Sequence, residues 1–308
     1  MTHKVIFTAD LAGDMKQYEA LFSLAHDTNA DSVILGGDLA PGIEDQNGII
    51  NQRRFFTQEL FPLARQFKSS HPNTNLYAIM GNDDCAANVN ILASNDSPLI
   101  YIHGKRVPFA SGFELYGYSY VPLTPFGLKD WEKFDAVPKE GPKRTGFKRF
   151  FGSGSSTEQA YNPNALLEGL TTTSGDWKKK TFDPAEIKDT IEADLNDKGL
   201  TTNPSKTIYV FHSPPHNTNL DMLKSGQHVG SKAIRNFIDY DRPYATLHGH
   251  IHETVQVSGK FQDQIRDTLC LTAGNGVPVD QWNPAHLAAL TFDLEDVANT
   301  VERKVLKL

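Results

Sequence analysis

Ser32-Val33-Ile34-Leu35-Gly36-Gly37-Asp38 is a short apolar run that stops on two glycines and a carboxylate. Its apolar residues are consecutive rather than alternating. That pattern belongs to a strand covered on both faces, as in a parallel sheet. The same plan holds on either side. Lys4-Val5-Ile6-Phe7-Thr8-Ala9 runs into Asp10, and Leu76-Tyr77-Ala78-Ile79-Met80 runs into Gly81-Asn82-Asp83-Asp84. Between the first two strands, Met15, Tyr18, Leu21, Phe22 and Ala25 recur at helical spacing, and residues 53–67 are helix-like again. The order is therefore β-α-β-α-β. In open α/β sheets, sites form beyond the carboxyl ends of the strands. Asp10, Asp38 and Asn82 are each delivered to such an end.

The second half returns to strands. Ile208-Tyr209-Val210-Phe211 ends at His212, and Tyr244-Ala245-Thr246-Leu247 leads into His248-Gly249-His250-Ile251-His252. Ser231 is placed to cap a helix running from Lys232 to Ile238. Residues 254–257, 268–272, 287–293 and 300–307 read as antiparallel strands. Residues 122–181 are rich in Pro, Gly, Ser, Thr, Lys and aromatics, which predicts a partly irregular excursion. Asp183 with Pro184 behind it predicts a helix from there to about Asn196. No internal repeat is present. The reading is one α/β domain over 1–308, decorated by an excursion at about 122–205.

The chain has 308 residues, of which 39% are hydrophobic and 22% charged, and a formal net charge of −7. Bulk charge gives no reason to expect nucleic acid or an anionic membrane as partner. An anionic substrate would need local positive charge, which a metal ion can supply. The two cysteines, Cys85 and Cys270, form no CxxC, so no disulfide framework or cysteine zinc site is encoded. Met1 leads directly into a strand-like stretch with no signal-peptide pattern, and no apolar run is long enough to span a bilayer. The expectation is a soluble, cytoplasmic protein. Lys143, Arg144, Lys148 and Arg149 interleave with Phe147, Phe150 and Phe151; this could grip a nucleotide or single strand, but a solvated loop with anchoring aromatics is the commoner outcome. Lys178-Lys179-Lys180 reads as a solvated turn.

Imidazole, carboxylate and one amide oxygen together suit borderline cations such as Zn, Mn or Fe. The absence of thiolate argues against a structural zinc site. One carboxylate can bridge two ions roughly 3.5–4 Å apart. At this point the chain resembles the calcineurin-like metallophosphoesterases. Their pattern is DxH, GD, GN followed by H and D or E, a lone H, then GHxH. Here it is met by Asp10-Leu11-Ala12, Gly37-Asp38, Gly81-Asn82-Asp83-Asp84, His212 and Gly249-His250-Ile251-His252. His212-Ser213-Pro214-Pro215 and His228-Val229-Gly230-Ser231 further resemble a prokaryotic subgroup of undefined substrate.

The resemblance implies two mixed β-sheets packed face to face with helices outside. It implies two divalent ions (Mn, Fe, Zn or Ni) and hydrolysis of a phosphomonoester or phosphodiester by a metal-activated water. Its substrate would be a phosphorylated small molecule or a nucleotide. Asp38 would bridge the ions; Asn82, His212 and His250 would complete one site, and Asp10 and His252 would belong to the other. Two positions depart from the family pattern. Ala12 stands where a metal-binding His is usual, which thins the site of Asp10 and His252 and leaves it weak or empty. Asp14 is the nearest substitute, although a helix N-cap is its simpler reading. Asp83 stands where the family often has a His beside the phosphate. It is assigned a catalytic and substrate-binding role, and as an acid it needs a raised pKa. His216 and His228 are assigned to substrate contact from their loops. His248 is read as a packed non-ligand, and Trp131 as a core or loop anchor. An alternative reading is a weakened or inactive relative that binds one metal or a phosphate-containing ligand as a regulatory module. An unrelated HxH hydrolase fits less well, because HxH comes late in the chain.

Overall fold

The structure, a computed structural model, describes residues 2–137, 166–187, 189–197, 203–275 and 286–308. The consecutive apolar runs do form parallel strands. β1 (Lys4–Thr8), β2 (Ser32–Gly36), β3 (Asn75–Ile79) and β4 (Ile100–Tyr101) lie side by side, all parallel. In the second half of the fold, β5 (Arg106–Pro108), β6 (Glu114–Tyr118), β7 (Thr207–Phe211), β8 (Ala245–His248), β9 (Gln262–Ile265) and β10 (Thr268–Thr272) form a six-stranded sheet in the order β9-β10-β8-β7-β6-β5. β6, β7, β8 and β10 run parallel, with antiparallel β5 and β9 at the edges. The chain then returns to the first sheet. β11 (His286–Asp293) pairs antiparallel with β1, and β12 (Glu302–Lys307) with β11, giving the order β12-β11-β1-β2-β3-β4.

Strand parity decides which core each side chain enters, because neighbours along a strand face opposite ways. Val5, Phe7, Ile34 and Ile79 point to one side and meet Leu115, Ile208, Val210 and Leu247 of the other sheet. Ile6, Val33, Leu35 and Ala78 point to the other side and meet Tyr18, Leu21 and Phe22 of helix α1 (Met15–Asp27). The same outer core takes Phe55, Phe56, Leu60, Phe61, Ala64 and Phe67 from one helical run made of α2 (Gly48–Arg54), a π-turn at Phe55–Leu60 and α3 (Phe61–Ser70). On the far side, Tyr116, Tyr209 and Phe211 pack on Ala233, Ile234, Phe237 and Ile238 of α4 (Lys232–Asp241). Three cores thus separate four layers, helix, sheet, sheet and helix. Burial of an apolar side chain is worth about 1.5–3 kcal/mol, so all strands of both inner faces hold this stacking in place.

Several local expectations hold and others do not. Asp14 caps α1, accepting from the Lys16 N–H at 3.0 Å, and Ser231 caps α4 by accepting from Ile234 N–H. Residues 254–257 are not a strand. Thr254–Ser258 is a short helix closed by Gly259 at φ 69°. The β-branched residues favour a strand, but Thr254 is pinned instead, with its hydroxyl bonded to Asn219 and Met222. The helix predicted from Asp183 is also wrong in extent. Asp183 caps only a turn, and the helix is Ile191–Leu195, begun by Thr190. Burial of Ile191 and Leu195 against the α4 side selects that shorter segment.

The excursion is more ordered than its composition indicates. Val121–Pro122 pairs with Glu132–Lys133, and Glu168–Thr171 with Lys178–Thr181. The lysine run is therefore a strand rather than a turn, with Lys180 donating to the Lys129 carbonyl at 2.7 Å. A fully buried ion pair, Lys129–Glu132 at 2.9 Å, closes the base of this region. The basic and aromatic cluster at 143–151 lies outside the described residues. Trp131 is buried, as expected, and its Nε1–H donates to the Asp84 carbonyl at 2.8 Å. Trp131→Phe removes that donor and strands a buried acceptor. It is expected to lower stability by about 1–2 kcal/mol, read from urea denaturation; an unchanged midpoint would show that the bond contributes nothing.

Candidate metal centre

Each strand end that looked chemical in the sequence reaches one edge of the two-sheet frame. Two sets of ligand atoms form there. Asp38, His212 and His250 make one; Asp10, Asp38 and His252 make the other; within each set the atoms lie within 4.8 Å of one another. Asp38 is common to both. Asn82 joins the first set, with its Oδ1 3.1 Å from His212 Nε2.

The backbone at this edge is unusual. Asp10, Ala12, Asp38 and His250 have φ of 61°, 45°, 50° and 72°. Left-handed residues other than glycine are uncommon and cost about 1 kcal/mol or more each. Here they turn each strand end sharply, so that its side chain points back over the sheet edge. Two of the motif glycines are explained by contact. A Cβ on Gly37, whose φ is 100°, would sit 2.5 Å from His212 Nδ1, and one on Gly81 would sit 2.3 Å from Asp38 Oδ1. The loops approach so closely that only hydrogen fits between them.

Hydrogen bonds orient each candidate ligand. His212 Nδ1 lies 2.8 Å from the Gly36 carbonyl, which acts as its acceptor and turns Nε2 toward Asp38 Oδ2 at 3.2 Å. A histidine held in this way presents its other nitrogen to a metal. Asn82 Nδ2 donates to Asp83 Oδ1 at 2.8 Å, so the amide oxygen is the atom that faces His212. The His250 N–H is accepted by both oxygens of Asp10, at 2.9 and 3.1 Å. His252 Nε2 stands 3.8 Å from Asp10 Oδ1.

The charges at this edge act strongly on one another. Burial works against the charge on both Asp38 and His212, but their mutual attraction wins. Asp38 is held at about 2 and His212 is pushed up to about 10. In the metal-free protein the His212 proton sits where a cation would sit, and a ligating imidazole must release it. Burial keeps His250 neutral, down to about 3, with the His212 charge adding to the effect. Asp83 is pushed up to about 7, first by the Asp38 charge and then by burial. Asp84 reaches about 7, with burial as the largest cause and Asp38 next. Asp10 is raised by burial. Four carboxyls and three imidazoles thus crowd one edge of the fold. The donor set fits one or two oxygen- and nitrogen-preferring divalent ions.

Three buried residues that the sequence reading did not single out build this edge. Asp84 accepts from the Leu39, Ala40 and Gly81 amides, tying the loop after β2 to the loop after β3. Gln52 of α2 donates to the Pro41 and Asp83 carbonyls and accepts from Cys85 N–H. Asn275 donates to the Asp10 carbonyl at 3.2 Å and to Gln17 at 2.6 Å. Gln52 and Asn275 lie in no motif, and Asp84, although it closes the GN motif, shows its role only when distant loops meet. Asp14 faces α1 as its cap, so it does not stand in for the group missing at Ala12.

His248 is buried and bonded to the Ser213 carbonyl and the Thr246 hydroxyl, apart from both ligand sets. Burial lowers it to about 3. The unfolded chain takes up this proton near pH 6.5, while the folded one refuses it until about 3. Stability from neutral His248 is thus complete above 6.5 and is lost as pH falls from there toward 3. By pH 4.5 the loss is about 3 kcal/mol. The stability difference between wild type and His248→Asn, measured by denaturation, should shrink by that amount between pH 7 and 4.5. A constant difference would contradict it.

His216 and His228 do not join either ligand set; both turn to Asp221. No helix among the described residues is long and apolar enough to cross a membrane. No curated protein matches the sequence. Solved structures do match in fold. A dimetal phosphatase from Danio rerio gives a TM-score of 0.55 at 12% identity, covering 99% of this chain and 96% of that one. The protein TT1561 of Thermus thermophilus gives 0.52 at 15% identity, with 99% of each chain covered. The model of the family described as Calcineurin-like phosphoesterase matches residues 3–254. That span runs from β1 through His252 and includes every residue of both ligand sets, so the chain belongs to the calcineurin-like phosphoesterase family.

Proposed function

We propose that this protein hydrolyses a phosphomonoester or phosphodiester at the edge built on Asp38, with two divalent ions as cofactors. The observation that carries the reading is that one carboxylate, Asp38, belongs to both ligand sets. A bridging carboxylate is what a two-ion clamp on phosphorus requires. His212, His250 and Asn82 would complete one site, and Asp10 and His252 the other. Ions bound there would neutralise charge on the phosphoryl oxygens and supply an activated water.

The chain's own residues do the rest. Gly36 and Asp10 hold His212 and His250 in place through the bonds described above. Asp83 stands at the partly exposed mouth of the site, with its backbone N–H on Asp38 Oδ1 at 2.8 Å. A carboxyl held at about 7 keeps its proton in part of the population near neutrality. It is the candidate donor to the leaving oxygen, and bound cations work against it by favouring the anion. Asp83→Asn should therefore slow esters of aliphatic alcohols by roughly tenfold or more, the low end of general acid catalysis. 4-Nitrophenyl esters, whose leaving group needs no proton, should change little. Equal losses on both substrate types would remove Asp83 from proton transfer.

Ala12 favours a second reading, in which the site of Asp10 and His252 stays empty and the protein serves as a one-metal binding module. Elemental analysis separates the two. Near two ions per chain with turnover of an activated aryl ester supports the enzyme; one ion and no turnover with Mn, Ni, Fe or Zn supports the module.

A further inference from the structure

A second cluster of histidines lies outside both metal sets. Asp221 is fully buried and accepts from the Thr218, Asn217 and Gly230 amides at 2.8, 3.0 and 3.0 Å. His228 Nδ1 is 2.7 Å from the same carboxylate, and His216 Nδ1 is 3.5 Å from it. Their rings stand 6.2 Å apart, close to perpendicular. Each side chain is just under a third exposed, at 28% for His228 and 29% for His216. Because Nδ1 of each ring faces the buried carboxylate, Nε2 is the atom left to face outward. A carboxylate partner of this kind fixes the ring, while burial holds His216 below its ordinary value.

The surroundings favour an anion. Exposed Lys232 and the carboxylate of Asp135 both act on His216. Arg235 braces the same loop through the His216 and Asn217 carbonyls. The two acidic groups are saturated from within: Asp221 as above, and Asp135 by the Ser231 hydroxyl and the Lys232 and Ala233 amides. Lys232 is exposed, and an outward Nε2 becomes a donor when its ring is protonated, a form that an approaching anion favours.

The cluster is also close to the metal edge. His216 follows His212 by four residues, so their Cα atoms are at most ~14 Å apart. The loop that carries His228 is tied to the other side of that edge. Met222, its bridge partner, donates to Thr254, two residues beyond His252.

We propose that His216 and His228, braced on Asp221 and flanked by Lys232, form a subsite for a second, non-reacting phosphate group of the substrate. This rests on the phosphoesterase reading and narrows it to substrates with two phosphate groups. The test is calorimetric binding to the zinc-saturated full-length protein. An alkyl phosphonate is compared with α,ω-alkane bisphosphonates of increasing chain length. One bisphosphonate length should bind at least about tenfold tighter than the monophosphonate, the scale of one charge-assisted hydrogen bond. That preference should be lost in His216→Asn/His228→Asn and reduced in Lys232→Gln, an exposed change that leaves folding alone, while monophosphonate affinity stays the same. A preference that survives in the variants, or equal weakening of both ligands, overturns the subsite. In a second arm, inorganic phosphate should move the His216 and His228 ring-proton resonances of the zinc protein saturably. Absence of that shift overturns the subsite even if turnover is found, and its presence stands even if turnover fails.

Discussion

Asp38→Asn should abolish metal-dependent hydrolysis, lowering kcat/KM by roughly 10³-fold or more, about 4 kcal/mol of lost transition-state stabilisation. Asparagine keeps the size of the side chain and accepts the left-handed backbone at φ 50° with little strain. What it removes is the charge shared by both ligand sets. It also leaves His212 without its partner, so burial should pull that imidazole back toward neutrality. Metal content should fall well below that of wild type when both are loaded and desalted together. A variant that keeps its metals and its rate would show that Asp38 bridges nothing.

Ala12→His should act in the other direction. Residue 12 sits at φ 45°, a region in which His is several-fold enriched among residues other than glycine. Its amide donates to the Asp38 carbonyl at 2.9 Å, so an imidazole at this position begins beside the shared carboxylate. The site of Asp10 and His252 would gain a neutral nitrogen ligand. Affinity for the second ion should rise roughly ten- to a hundredfold, at least the effect of losing an outer partner of a metal ligand. Titration of metal-stripped protein against a chelating dye reads this directly. If the weaker affinity does not move, the second site is either complete without residue 12 or not used.

The fold was legible because consecutive apolar runs and their helical neighbours leave few arrangements open. Val33 to Leu35 and Ile208 to Phe211 could only be strands covered on both faces, and both are. Errors arose where a local preference met a tertiary demand. Thr254-Val255-Gln256-Val257 has the composition of a strand, yet the bonds of Thr254 to Asn219 and Met222 hold it in a helical turn. Asp183 and Pro184 are a good helix start, but the buried pair Ile191 and Leu195 set the helix that forms. The candidate ligands were legible because their residue types are rare in such order. Their supports were not. Gln52, Asp84 and Asn275 act through backbone amides and carbonyls of loops far away in the chain. Ala12 shows the opposite case: an absent side chain is visible in the sequence only against a pattern.

The most direct test is the release of 4-nitrophenol from 4-nitrophenyl phosphate and bis(4-nitrophenyl) phosphate by chelator-stripped protein titrated with Mn²⁺. Turnover of at least one ester should appear, rise saturably with bound Mn²⁺ and vanish on adding EDTA. Protein that binds Mn²⁺ yet releases no 4-nitrophenol from either ester would contradict the assignment of a hydrolytic centre at Asp38.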